Sequence, residues 1–163
     1  MMFNQIKIIN FVKVKQEIFI GLLVGFGFVL LNMMIPSIAI GFPILPYASV
    51  IDKYAIVSVI APIFEEIAFR LILLVILFKL LKNIWVAIGL QAVIFSIFHY
   101  LAYGASLTAM SASFIGALLF GLLVGFICYK SEYSVVSPIV IHMVFNTYLV
   151  SKVMFVISGG FLG

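Results

Sequence analysis

Glu65, Glu66 and Arg70 lie in the middle of an otherwise apolar run from about Tyr54 to Phe78. Placing one ionised side chain at the centre of a membrane helix costs about 2.5–3.5 kcal/mol, so three unpaired charges would cost roughly 8–10 kcal/mol. Residues retained against that penalty must face a polar interior, and they are candidates for chemistry. Helical spacing separates their roles. Glu66 and Arg70 are four apart and meet on one face as an ion pair. Glu65 is turned about 100° from Glu66 and has no partner on its own helix. A carboxylate so placed suits a general base or acid, which leaves Glu66 and Arg70 to hold the architecture.

The chain has two histidines, each in an apolar run. His99 closes Phe95-Ser96-Ile97-Phe98-His99, with Phe95 one turn earlier on the same face. His142 opens His142-Met143-Val144-Phe145-Asn146, with Asn146 one turn on. Alone, either histidine reads more readily as an interhelical hydrogen bonder than as a catalyst. A carboxylate pair, two histidines and an asparagine on three separate helices are different: they can converge only inside a bundle.

The elements that would position them follow from composition. The 163 residues are 66% apolar and 9% charged, with a mean hydropathy of +1.40. A soluble domain has about 45–50% apolar and about 25% charged residues, so a soluble fold is excluded, and so is disorder. Spans of about 20 residues fit at about 18–40, 54–78, 84–103, 111–129 and 134–157. The expected fold is all-α, a polytopic transmembrane bundle of about five helices, because the runs are too long and unalternating for barrel strands. The reading is one membrane-embedded domain over 1–163, with a catalytic helix core at 54–157. Residues 1–17, with Lys7, Lys13 and Lys15, are expected to form a short amphipathic interfacial segment. The run after it is too long for a cleaved signal peptide.

Lys7, Lys13, Lys15, Lys79, Lys82 and Lys130 then share one side, against Lys53 and Lys152 on the other, which places the N-terminus in the cytoplasm. The net charge of +4 is too scattered for a nucleic-acid face. Cys128 is the single cysteine, so no intrachain disulfide forms, and it reads as a core residue. Gly21-Leu22-Leu23-Val24-Gly25 and Gly121-Leu122-Leu123-Val124-Gly125 are identical small-xxx-small segments at which helices pack closely.

Taken in order, Glu65-Glu66-x-x-x-Arg70, Phe95-x-x-x-His99 and His142-x-x-x-Asn146 resemble the motif series of the CAAX-protease and bacteriocin-processing (Abi) family of intramembrane endopeptidases. Phe120-Gly121-Leu122-Leu123-Val124-Gly125 and Pro138 resemble the family's approach to its second histidine. The resemblance spans about Ala61 to Asn146. It implies that Glu65 and His99 activate water against a peptide carbonyl and that His142 and Asn146 stabilise the oxyanion. Glu66, Arg70 and Phe95 would support the site. The implied partners are the bilayer and a peptide or membrane-protein substrate. The bias of Lys over Arg and the heavy use of Ile and Phe suggest a prokaryotic cell membrane, where a leader peptide, signalling peptide or membrane-protein segment fits better than a prenylated one.

Glu65, His99 and His142 also form a two-histidine, one-glutamate ligand set of the kind used by catalytic zinc; the reading leans towards no permanently bound metal. No H-E-x-x-H helix is present, Gly104-Ala105-Ser106-Leu107 fails the G-x-S-G pattern, and Asp52 is the single aspartate. Two other classes stay open: a non-catalytic binding or immunity protein, and a small transporter or proton relay. The span boundaries also raise a problem of level. At 1.5 Å per residue, His99 lies roughly 22 Å along the third span and His142 roughly 12 Å along the fifth, so the site does not close as drawn.

Overall fold

The structure is a computed structural model, and it describes residues 11–34, 56–103 and 107–157. Among these the chain is all helical, with no strand. The helices are α1 (Phe11–Met34), α2 (residues 56–81), α3 (Ile84–Tyr103), α4 (Leu107–Lys130) and α5 (Val136–Ile157). Expected and observed boundaries agree closely for the third run. The fourth begins earlier than expected because Leu107 to Met110 continue the helix. The first starts earlier too. Residues 11–17 are the opening turns of α1, with no break before Ile18, because neither Gly nor Pro interrupts the run from Phe11 to Ile20. The separate interfacial segment is therefore not seen over 11–17, and its residues 1–10 lie outside the described residues, as does the Gly104–Ser106 connector.

Two tight turns set the antiparallel path. Lys82 takes a left-handed conformation at φ 56° and ends α2, its N–H bonded to the Phe78 carbonyl at 2.9 Å. Asn83 then caps α3, its Oδ1 accepting from the Trp85 and Val86 N–H groups at 3.0 and 3.3 Å. Between α4 and α5, Glu132 and Tyr133 are left-handed, and the Tyr133 N–H bonds the Cys128 carbonyl at 2.8 Å. The Phe78 and Tyr133 rings stack at 6.4 Å and Lys13 Nζ meets Glu132 Oε2 at 2.9 Å. The start of α1, the α2–α3 turn and the α4–α5 turn therefore share one end.

The two glycine pairs make the close approaches. A Cβ on Gly21 would lie 2.7 Å from Val140 Cβ, and one on Gly25 would lie 3.0 Å from Val144 Cβ, so α1 runs parallel to α5 in near-backbone contact. A Cβ on Gly121 would lie 3.1 Å from Ala92 and one on Gly125 would lie 3.0 Å from Gln91 Oε1, so α4 docks antiparallel to α3. At the shared end Glu17 is buried. It accepts a hydrogen bond from Ser134 Oγ, and its carbonyl accepts one from Ser137 Oγ at 2.9 Å. The core between α3, α4 and α5 holds Phe95, Phe120, Val124, Ile141 and Phe145. Outside, Phe19, Leu23, Leu80, Trp85 and Leu101 are exposed, an apolar surface that suits lipid better than water. Among the described residues, two helices are long and apolar enough to cross a membrane, over Lys13–Leu31 and Ile84–Leu101.

Candidate active site

The helix α2 is continuous but not uniform. Its α-helical pieces, Ala61–Glu66 and Leu74–Leu81, alternate with π-helical pieces, Ile56–Ile60 and Ile67–Leu73. The wider π turns redirect the axis and are frequent at functional sites. Accordingly Leu74–Leu81 packs on α3, whereas Ala61–Glu66 packs on α5. Pro62 has no N–H, so in the π-helical register the carbonyl of Val57, five residues earlier, has no main-chain donor from that position. Asn146 Nδ2 supplies one, donating to the Val57 carbonyl at 3.0 Å.

A buried stripe on α2 (Ser58, Pro62, Glu66, Arg70 and Leu74) faces the interior. Arg70 Nε and Glu66 Oε2 form a fully buried ion pair at 3.0 Å. The Arg70 guanidinium also lies over the Phe95 ring, 4.4 Å from its centroid, a cation–π contact in a place without water's competition. Glu66 Oε1 accepts from His142 Nδ1 at 2.8 Å. One carboxylate thus holds both a cation and an imidazole.

Glu65 faces the two imidazoles. Its Oε2 lies 3.5 Å from His99 Nε2 and 3.7 Å from His142 Nε2. The three ligand atoms offered by Glu65, His99 and His142 lie within 4.8 Å of one another. Side-chain exposure is 16% for Glu65 and 15% for His99, while His142 is nearly closed off. The groups expected on three helices are together. The level mismatch between His99 and His142 is absent, since both rings reach Glu65, and the first turn of α5 is set in from the shared end, with Ser137 bonded to Glu17 one turn beyond the Lys13–Glu132 pair. The two helices are not counted from one plane.

The tautomers follow from the partners. His99 Nδ1 lies 2.9 Å from the Phe95 carbonyl, which can only accept, so Nδ1 carries a proton. His142 Nδ1 donates to Glu66 in the same way. Each ring therefore turns its Nε2 to the Glu65 carboxylate. The donor set fits a metal: two imidazole nitrogens and a carboxylate, each imidazole oriented through its other nitrogen, as in zinc sites.

Aromatic rings hold the imidazoles. Phe95 packs tilted against His99 at 4.1 Å and stacks with Phe120 at 6.1 Å, and Phe120 meets His142 in a T-shaped contact at 4.9 Å. Phe28 of α1 reaches Phe120 and Phe145 at 5.8 and 4.9 Å. Sequence reasoning gave no role to Phe28, Val57, Ser58 or Gln91. Gln91 is fully buried and lies one turn from Phe95 on the same face; its i,i+4 spacing from Phe95 was the available signal. For the Val57 carbonyl the signal was Pro62.

Over residues 47–148, well over half of its length, the sequence matches the family described as Type II CAAX prenyl endopeptidase Rce1-like. The chain belongs to this family. Neither the curated proteins nor the solved structures contain a match. Rce1-like proteins are integral membrane proteases, and the matched segment contains Glu65, Glu66, Arg70, Phe95, His99, His142 and Asn146.

Proposed function

We propose that this chain is an intramembrane endopeptidase that hydrolyses a peptide bond in a membrane-associated peptide or protein, with residues 54–157 as its catalytic core. The observation that carries the reading is the meeting of Glu65, His99 and His142 from three helices, with Glu65 and His99 still reachable from outside. All five helices cross the bilayer in this reading, with the N-terminus in the cytoplasm.

A water held between Glu65 and His99 loses its proton to the Glu65 carboxylate as its oxygen attacks the peptide carbonyl. The proton then passes to the leaving amine. His142 faces the developing oxyanion with Nε2, its ring held from the other side by the Nδ1 contact with Glu66 Oε1 at 2.8 Å. Glu66 and Arg70 fix His142, and Phe95 fixes His99. Asn146 is the second oxyanion donor in this reading: one Nδ2 hydrogen ties α5 to the Val57 carbonyl of α2 and the other is left for the substrate. If a metal binds, Glu65, His99 and His142 are its ligands, and it would polarise the carbonyl and acidify bound water.

Prenylated CAAX peptides, the class in the family description, and unmodified leader-type peptides are the substrates to compare. Purified protein in lipid nanodiscs is incubated with both sets, beside Glu65→Gln and His99→Ala. Cleavage by the native protein and a fall of about 10²–10⁴ in each variant, with melting temperature retained, is the expected result. No cleavage of either set by well-folded native protein would sink the reading. A chelator arm decides between the metal-dependent and metal-independent forms.

A further inference from the structure

The route to Glu65 is set by where α2 leaves α3. Below the site Leu74–Leu81 lies along α3; above it Ala61–Glu66 has moved onto α5. The two helices therefore form a V that opens at the level of Glu65 and His99, with the π-helical Ile67–Leu73 as its bend. Phe98 sits at the vertex. Its ring contacts Phe69 across the gap at 5.7 Å and the edge of His99 at 5.6 Å, yet 48% of the residue stays exposed. Phe64, next to Glu65 in sequence, is 69% exposed, and Ala68 and Leu101 are exposed as well. Among the described residues, the exposed side chains flanking this opening on α2 and α3 are thus apolar, and Glu65 and His99 are partly exposed polar groups at its base.

From its place on the α3 wall, Phe98 touches both one of the proposed reacting groups, His99, and the facing wall at Phe69. A peptide whose carbonyl reaches Glu65 and His99 through this gap must lay a neighbouring side chain against the Phe98 ring. On the protease reading above, we propose that substrate enters through the α2–α3 cleft and that Phe98 is a specificity-determining residue, selecting the size of an apolar side chain beside the scissile bond.

The test uses full-length protein in nanodiscs and a peptide series that varies only the residues flanking the cleaved bond, from Ala through Leu to Trp. Removing or enlarging one wall of an apolar subsite changes discrimination by about 10–200-fold. Phe98→Ala is expected to raise the kcat/KM ratio of the Trp peptide to the Leu peptide by about tenfold or more, and Phe98→Trp to lower it. Phe98→Leu should lie between native and Ala, which covers any folding loss in the harsher change. Leu119→Ala, an equally outward position on α4, should leave the ratio at the native value. If the ratio stays native in all three Phe98 variants while cleavage persists, the subsite is wrong and the protease reading stands. If native protein and Glu65→Gln are equally inert on the whole series, both fall.

Discussion

Two adjacent glutamates on one helix have opposite relations to their surroundings. Glu66 is fully buried, with Arg70 on one oxygen and His142 on the other. Glu65 is partly exposed and turned to two Nε2 atoms. Glu66→Gln therefore leaves the Arg70 guanidinium buried without a counter-charge, a defect worth about 3–5 kcal/mol. Glu65→Gln removes a group whose surroundings are partly open, and its effect should fall on turnover. Thermal unfolding in detergent should show a clear drop for Glu66→Gln and a small one for Glu65→Gln. Equal melting temperatures for the two variants would contradict this division of roles. The 100° turn between neighbouring helical residues made the division legible in sequence, since it put Glu66 on the Arg70 face and Glu65 off it. The Val57 partner of Asn146 was not legible: it is a main-chain carbonyl, and carbonyls have no sequence signature except through a proline that removes their donor.

At the level of elements, the periodicity and length of the apolar runs marked the helices, and the turn residues marked their ends near Lys82 and Ser131. The π-helical pieces of α2 were invisible, because no residue type encodes a widened turn and tertiary packing selects it. The buried start of α5 was hidden for a related reason, since depth depends on what lies over the first turn, here Glu17 of α1. The repeated Gly-Leu-Leu-Val-Gly segments announced close approaches but not their partners, which are α5 for one and α3 for the other. Gly21 and Gly27 make a matched test on one helix. A Cβ at Gly21 collides with the backbone-proximal Val140 Cβ at 2.7 Å, while one at Gly27 meets nothing within 4 Å. Gly21→Ala is expected to destabilise by about 1–3 kcal/mol through forced separation of α1 from α5. Gly27→Ala should be neutral or stabilising by up to about 1 kcal/mol, through better helix propensity. Melting curves of the two variants in one detergent check the contrast, and a fully tolerated Gly21→Ala would mean that α1 is not docked as described.

For the whole molecule, the question is which way the bundle sits. Lys13, Lys79, Lys82 and Lys130 lie at or near the end that holds the α2–α3 and α4–α5 turns, an end tied together by the Lys13–Glu132 pair and the Phe78–Tyr133 stack. Cytoplasmic retention of lysine-rich ends then predicts that both turns face the cytoplasm. His99 is fifteen residues beyond Ile84, about 22 Å at 1.5 Å per residue, in a hydrocarbon layer about 30 Å thick. The proposed site is therefore nearer the opposite surface, and water reaches it more readily from there. Cys128 is fully buried, so a Cys128→Ala background lets one new cysteine report at a time. Asn83→Cys and Glu132→Cys should both react with a membrane-impermeant maleimide in inside-out vesicles and be protected in right-side-out ones. Labelling of the two from different sides would break the shared end on which the bundle is built. Labelling of both from outside would keep the bundle, invert its orientation and bring the Glu65–His99 opening towards the cytoplasm.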